Sequence, residues 1–128
     1  MGQNSVSIKI LVIDDDPIVR HTIQAILEEA GYSVTCAEDG RRGLAAFRRN
    51  RPDVVVTDII MPEKEGIETI LELRRIWPEG RIIAISGGGR TEQKDGFLRV
   101  AIGCGADAVL AKPFEPEELV ALVGAGRR

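Results

Sequence analysis

Short apolar runs alternate with helix-forming segments along the chain, and this alternation is what most limits its fold. The first run, residues 9–13, reads Lys-Ile-Leu-Val-Ile, which is typical of a strand buried on both faces of a parallel sheet. Asp16-Pro17 then predicts a capped helix that ends at Gly31. The remaining segments predict strands at 33–37, 53–58, 81–86 and 108–111 and helices at 39–50, 66–76, 91–102 and 116–123. We expect Leu44, Ala45 and Phe47 to face inward and Trp77 to cap the helix at 66–76. Such alternation predicts an α/β fold with helices on both faces of the sheet.

Acidic, hydroxyl and ammonium side chains occur where the predicted strands end. Asp14 and Asp15 follow the first strand, and Asp58 closes the third. Ser86 closes the fourth strand and Lys112 follows the fifth. Because ligands of doubly wound sheets bind at the carboxyl ends of the strands, we expect these five side chains to form one site.

The three carboxylates predict a divalent cation, because they would repel one another without one. Their hard oxygen ligands, with no His or Cys at ligand spacing, favour Mg²⁺ or Mn²⁺ over zinc or copper. Magnesium held by carboxylates usually completes its shell with water and phosphate oxygens, which points to phosphoryl chemistry. We therefore interpret Asp58 as a nucleophile that forms an acyl phosphate, with Lys112 and Ser86 as partners of the phosphoryl oxygens.

The order of these residues closely resembles the receiver domain of two-component response regulators, from about residue 9 to residue 123. The resemblance rests on Asp14-Asp15, on Asp58 followed by Met61-Pro62, on Ser86, and on Gly105-Ala106-Asp107 before Lys112-Pro113-Phe114. It implies a flavodoxin-like, doubly wound, five-stranded parallel sheet in the order 2-1-3-4-5. We expect a receiver domain at 8–124 between tails at 1–7 and 125–128.

The resemblance also implies a role for each acidic residue. Asp58 would receive a phosphoryl group from a histidine kinase or a histidine phosphotransfer protein. Asp15 would bind Mg²⁺ directly, Asp14 would assist, and Asp58 and the backbone carbonyl of Ile60 would be further ligands.

The remaining site residues would contact the phosphoryl group. By the same resemblance, Ser86 would hydrogen-bond the phosphoryl group and move toward it, while Lys112 would pair with it. The bond between Lys112 and Pro113 usually carries a cis peptide in such domains.

Two features depart from the family pattern. Val109, three residues before Lys112, stands where the family commonly has an aromatic switch residue, so the usual ring rotation cannot operate. The segment after Ser86 is rich in glycine, and the chain from there to Lys112 is a few residues longer than is typical. We predict that this loop moves on phosphorylation; its glycines are Gly87, Gly88 and Gly89.

Charge and composition limit the partners. With 17 Lys and Arg against 20 Asp and Glu, the net charge of −3 gives no general attraction to nucleic acid or to an anionic membrane. Two cysteines, Cys36 and Cys104, form no disulfide framework, which favours a cytoplasmic protein. We interpret the arginines of 41–51 first as a solvated face, second as a partner-docking face and only third as a nucleic-acid contact, and His21 as a solvated helix residue.

These features favour a single-domain regulator, a monomer or weak dimer. It would signal through a downstream protein target or pass the phosphoryl group onward. Alternatives are a magnesium-dependent phosphatase of the aspartyl-phosphate type and a degenerate receiver that binds partners without phosphate. The phosphatase would need an acid–base Asp where Ile60 stands. A flavodoxin-like cofactor binder would need a phosphate-cradling loop where Asp14 and Asp15 stand.

Overall fold

The computed structural model describes residues 7–59, 65–86 and 99–125. Its strands are β1 (Lys9–Ile13), β2 (Ser33–Ala37), β3 (Val54–Asp58), β4 (Arg81–Ser86) and β5 (Ala108–Ala111). Its helices are α1 (Pro17–Glu29), α2 (Gly40–Arg49), α3 (Glu65–Ile76), α4, described over 99–104, and α5 (Pro116–Ala125). The predicted ligand Ile60, the glycine loop 87–89, and most of both predicted tails lie outside the described residues.

The five strands form one parallel sheet in the order β2-β1-β3-β4-β5, which confirms the predicted fold class and topology. Val12 of β1 lies beside Val56 of β3, and Val56 lies beside Ile83 of β4. The central strands are buried on both faces, as their continuous apolar sequences predict. This topology places the ends of β1 and β3 next to each other at the switch point of the sheet.

Two apolar clusters, one on each face, hold the helices to the sheet. On one face Phe47 of α2 packs edge-on against Trp77, with ring centroids 5.1 Å apart, and Leu73 of α3 joins them. On the other face Ile23 and Leu27 of α1 share a cluster with side chains of α5. Because side chains alternate along each strand, the same five strands supply both clusters.

Helix ends differ slightly from the sequence-based boundaries because the terminal residues act as caps. The carboxylate of Asp16 accepts a hydrogen bond from the backbone N–H of Ile18, as predicted for the start of α1. The Asp39 carboxylate accepts from the N–H of Arg42, so α2 begins one residue later than predicted, at Gly40. The predicted helix over 91–102 is described only from residue 99, where it is helical.

No helix in the described ranges combines the length and the apolar composition that a membrane span requires.

Candidate functional site

The carboxyl ends of β1 and β3 bring the three predicted aspartates together. One carboxylate oxygen from each of Asp14, Asp15 and Asp58 lies within 4.8 Å of the other two. Asp14 and Asp58 are buried, whereas Asp15 is exposed. The cluster therefore has two carboxylates fixed in the protein and one that faces solvent, an arrangement suited to a cation entering from outside.

Asp14 is held by three hydrogen bonds. Its backbone N–H donates to the Ala37 carbonyl at 3.1 Å, and its Oδ1 accepts from the N–H of Asp16 at 2.9 Å. Arg20, one turn into α1, donates from Nη1 to the Asp14 carbonyl at 2.7 Å. The other carboxylate oxygen, Oδ2, is buried without a hydrogen-bond partner in the described part of the chain. Burial raises the pKa of Asp14, although the Asp16 hydrogen bond and the charge of Lys112 oppose that rise.

Asp58 is positioned by close packing at the end of β3. It lies beside Ile85 of β4, and the N–H of Ile59 donates to the Ile85 carbonyl at 3.0 Å. The first turn of α3 packs directly on this backbone. A methyl group at Gly66 would stand 2.5 Å from the carbonyl oxygen of Asp58, so only glycine permits this approach.

Lys112 reaches both buried carboxylates from the end of β5. Its Nζ lies 3.6 Å from Oδ2 of Asp58 and 3.8 Å from Oδ2 of Asp14. The backbone N–H of Lys112 donates to the carbonyl of Ser86 at 2.9 Å, and the Lys112–Pro113 peptide is cis, as the resemblance implied. A fixed ammonium group beside two buried carboxylates is electrostatically suited to an added anionic group.

Ser86 and Val109 complete the described part of the site. Ser86 is fully buried at the end of β4, one residue beyond the level of Asp58 on the neighbouring strand. Val109 lies in β5 beside Ala84, half-buried and packed on the α2–α3 side of the sheet. The structure thus groups four predicted residues, Asp14, Asp15, Asp58 and Lys112, by contact and places Ser86 on the adjoining strand.

Two positioning residues were missed in the sequence. Arg20 follows the acidic pair by five residues, and its charge on an amphipathic helix was the available signal. Gly66 was predicted only as the first residue of a helix, and no local pattern indicated its contact with Asp58.

The raised pKa of Asp14 predicts a pH-dependent gain in stability for Asp14→Asn in magnesium-free buffer. The folded protein keeps this proton to a higher pH than the unfolded chain does, so the wild type loses stability as the pH rises from the ordinary carboxyl pKa through the raised pKa of Asp14. Asn cannot ionise, yet its amide oxygen still accepts from Asp16. We expect the free energy of unfolding of Asp14→Asn to exceed that of the wild type at about pH 7, where wild-type Asp14 is held ionised against the cost of its burial.

Urea unfolding followed by Trp77 fluorescence measures this difference. The gain should shrink toward zero at about pH 4, where wild-type Asp14 is itself increasingly protonated. An equal difference at both pH values would show that ionisation of Asp14 is not its cause.

Comparisons with known proteins agree with the geometry. A family model described as the response regulator receiver domain matches residues 10–124. The chain is 39% identical over 115 residues to the response regulator MprA of Mycolicibacterium vanbaalenii, covering 89% of this chain and 48% of that protein. It is 34% identical over 113 residues to the chemotaxis protein CheY of Thermotoga maritima, covering 88% and 91% of the two chains. The chain spans about half the length of the MprA relatives it matches.

Solved structures show the same fold. A CheY-like receiver domain protein of Methanospirillum hungatei superposes with a TM-score of 0.82 at 27% identity, over 94% of each chain. The chemotaxis protein CheY4 of Vibrio cholerae superposes with a TM-score of 0.82 at 30% identity, over 94% of this chain and 98% of that one. The family model spans all five strands and the three clustered aspartates, and the chain belongs to the response regulator receiver domain family.

Proposed function

We propose that this receiver domain accepts a phosphoryl group on Asp58 from a histidine kinase or a histidine phosphotransfer protein in the cytoplasm. The observation that carries the proposal is the contact of Lys112 Nζ with Oδ2 of both Asp58 and Asp14, at 3.6 and 3.8 Å. It provides a nucleophilic carboxylate and a cation for the incoming phosphoryl oxygens in one place.

In the proposed transfer, a carboxylate oxygen of Asp58 attacks phosphorus and forms an acyl phosphate. The bond from phosphorus to the donor's imidazole nitrogen breaks, and its electron pair stays on that nitrogen. Lys112 pairs with the new phosphoryl oxygens, and Ser86 donates its hydroxyl to them. Hydrolysis of the acyl phosphate by water returns Asp58 to its free form, so the domain assists its own chemistry and is not an enzyme acting on other substrates.

The residues fit a magnesium ion. The donor set is three carboxylates, and Oδ2 of Asp14 is buried with no hydrogen-bond partner among the described residues. Asp14, Asp15 and Asp58 would hold Mg²⁺ or Mn²⁺, with the backbone carbonyl of Ile60 as a further ligand. When bound, the ion supplies positive charge that offsets the charge of the carboxylates and of the phosphoryl oxygens.

Signalling would follow from a changed affinity for a protein partner or from onward transfer of the phosphoryl group. Val109 offers no aromatic ring to rotate on β5, so we propose that Ser86 and the glycine loop at 87–89 carry the change. A docking regulator should retain its phosphoryl group and gain affinity for a target. A shuttle should return the group rapidly to a histidine phosphotransfer protein.

Incubation with acetyl phosphate, followed by intact-mass spectrometry, tests the proposed function. We expect one added phosphoryl group with Mg²⁺ and none with EDTA. Some receivers do not react with small phosphoryl donors. If no adduct forms, we therefore measure binding of a beryllium fluoride analogue as a shift in the unfolding temperature. Failure of both, or an adduct that forms equally well in EDTA, would contradict the proposal.

Asp15→Asn separates metal binding from folding, because Asp15 is exposed while its two partners are buried. At a magnesium concentration about 100 times the dissociation constant, wild-type stability should rise by about 2.7 kcal/mol. We expect Asp15→Asn to keep wild-type stability in EDTA and to lose most of the magnesium-dependent rise. Glu29→Gln, an exposed carboxylate of α1, is the matched control. A full magnesium response in Asp15→Asn would remove Asp15 from the ligand set.

A further inference from the structure

Positive charge is concentrated beside one edge of the sheet. Residues 38–51 contain five arginines and two carboxylates, a surplus of three positive charges in a chain whose net charge is −3. Arg42 pairs with Glu38, and Arg48 pairs with Glu72 of α3 at 3.6 Å. Arg49 is exposed, and no described carboxylate lies within ion-pair distance of it. The charge therefore exceeds what the described ion pairs neutralise.

Two grooves follow strand β2 and meet at Arg49. One, of about 240 Å³, is lined by Lys9, Ser33, Thr35 and Asn50 together with Arg49. The other, of about 360 Å³, is lined by Arg49, Arg20, Cys36 and Arg42, and also by Glu38, the ion-pair partner of Arg42. We call this surface, made of the outer edge of β2 and the basic side chains Lys9, Arg20, Arg42 and Arg49, the basic edge.

Strand β2 is the last strand on its side of the sheet, so half of its backbone groups have no neighbouring strand. Ser33 N–H donates to the Ile8 carbonyl, and the Ala37 carbonyl accepts from Asp14 N–H, so these residues turn their backbone toward β1. In a parallel ladder the intervening residues, Val34 and Cys36, turn their N–H and C=O groups away from β1, toward the open edge of the sheet. Within the described residues, no strand pairs with them.

We propose that the basic edge binds an acidic segment of a partner protein in an extended conformation. The segment would add a strand outside β2, with its backbone paired to Val34 and Cys36 and its carboxylates at Arg42, Arg49 and Arg20. Arg20, which also donates to the Asp14 carbonyl at 2.7 Å, is the one named residue that this surface shares with the aspartate site, and the inference does not depend on the proposed phosphoryl transfer.

The backbone chemistry favours a peptide over a nucleic acid. Val34 and Cys36 each present one donor and one acceptor, and a peptide backbone offers both partners in alternation. Phosphodiester oxygens only accept, so a nucleic acid backbone would leave the outward carbonyls unpaired. The residues that line the two grooves also include no aromatic side chain on which bases could stack.

Fluorescence anisotropy with a labelled peptide of alternating Glu and Val, about six residues long to match a typical strand, tests the proposal on the whole chain. A second peptide carries N-methyl groups at alternate residues, which removes the pairing N–H groups but keeps the charge. A single-stranded oligonucleotide of equal charge is the third probe. We expect the unmodified peptide to bind about tenfold more tightly than the methylated one and more tightly than the oligonucleotide.

Variants identify the surface. Arg42→Gln with Arg49→Gln should weaken peptide binding about tenfold, and binding should also weaken with salt. Arg75→Gln is the matched control, since Arg75 is exposed on α3 and pairs with Glu72. In an NMR titration the amide signals of Val34 and Cys36 should shift in both the wild type and the control.

Three results would overturn the proposal. Equal binding of the two peptides would show that the basic edge recognises the charge of the peptide and not its backbone. Tighter binding of the oligonucleotide would assign the basic edge to nucleic acid. No binding of any probe would leave the arginines as charges that keep the open edge from self-association.

Discussion

Asp58→Asn is expected to reduce phosphorylation by acetyl phosphate by at least about 1000-fold, because an amide oxygen is a far weaker nucleophile than a carboxylate. The same change removes one of the three clustered carboxylates. We expect Asp58→Asn to keep the fold. Asp58 is only 5% exposed and lies beside Asp14, so the loss of its charge relieves repulsion between two buried carboxylates. Intact-mass spectrometry over time gives the rate, and thermal unfolding gives the stability.

Asp53→Asn is the matched control for that loss. Asp53 precedes β3 at the opposite end of the sheet, where its carboxylate accepts from the backbone N–H of Lys9 at 2.8 Å, and Asn can still accept. The control should be phosphorylated at the wild-type rate. If Asp58→Asn is also phosphorylated at that rate, Asp58 is not the acceptor.

Lys112→Met is expected to slow phosphorylation about 100-fold, the usual effect of removing one preorganised cation or donor from a transferring oxyanion. It should also lower the free energy of unfolding in EDTA by about 2 kcal/mol, because two buried carboxylates lose their ammonium partner. Methionine keeps the length of the side chain, so lost packing contributes little. Magnesium should restore part of the lost stability, since it supplies positive charge at the same carboxylates.

Lys9→Met provides the control, because Lys9 lies at the other end of the sheet, where its Nζ donates to Oδ1 of Asn50 at 3.3 Å. It should change neither the phosphorylation rate nor the magnesium response. A Lys112→Met protein with a normal rate would mean that the ammonium group acts on stability alone.

The fold could be predicted because the sequence repeats one simple pattern. Buried parallel strands need continuous apolar runs, and the segments 9–13, 54–58 and 81–86 provide them. The site could be predicted because parallel strands bring their carboxyl ends to one edge, so Asp14, Asp15, Asp58 and Lys112 meet although they are far apart in the chain.

Hydrophobicity alone was less informative about which side of a helix faces the sheet. Leu44, Ala45 and Phe47 were predicted to face inward, and for Ala45 this was wrong, since it is exposed. The buried residues of α2 include Gly43, whose added Cβ would stand 2.4 Å from Cδ1 of Ile13. A stripe of small residues lets α2 approach the sheet closely, and a glycine carries no hydrophobic signal.

Long-range contacts explain the other differences. Trp77 directly follows Ile76, the last residue of α3, as expected of a capping residue, but its packing was not predicted: it is 6% exposed and packs on Phe47 of α2. Arg74, also at the end of α3, donates to the carbonyls of Gly80 and Gly105 and pairs with Asp107 at 2.8 Å. These contacts join segments up to 33 residues apart, and the hydrophobic periodicity within a single helix cannot predict them.

Borohydride trapping with peptide mapping identifies the side chain on which the acyl phosphate forms, which we propose is Asp58. Borohydride reduces an aspartyl phosphate to homoserine and leaves free aspartate and phosphoserine unchanged. After phosphorylation in Mg²⁺ and reduction, we expect homoserine at position 58 alone. Homoserine at Asp14 or Asp15, or a borohydride-resistant phosphate on Ser86, would show that Asp58 is not the acceptor.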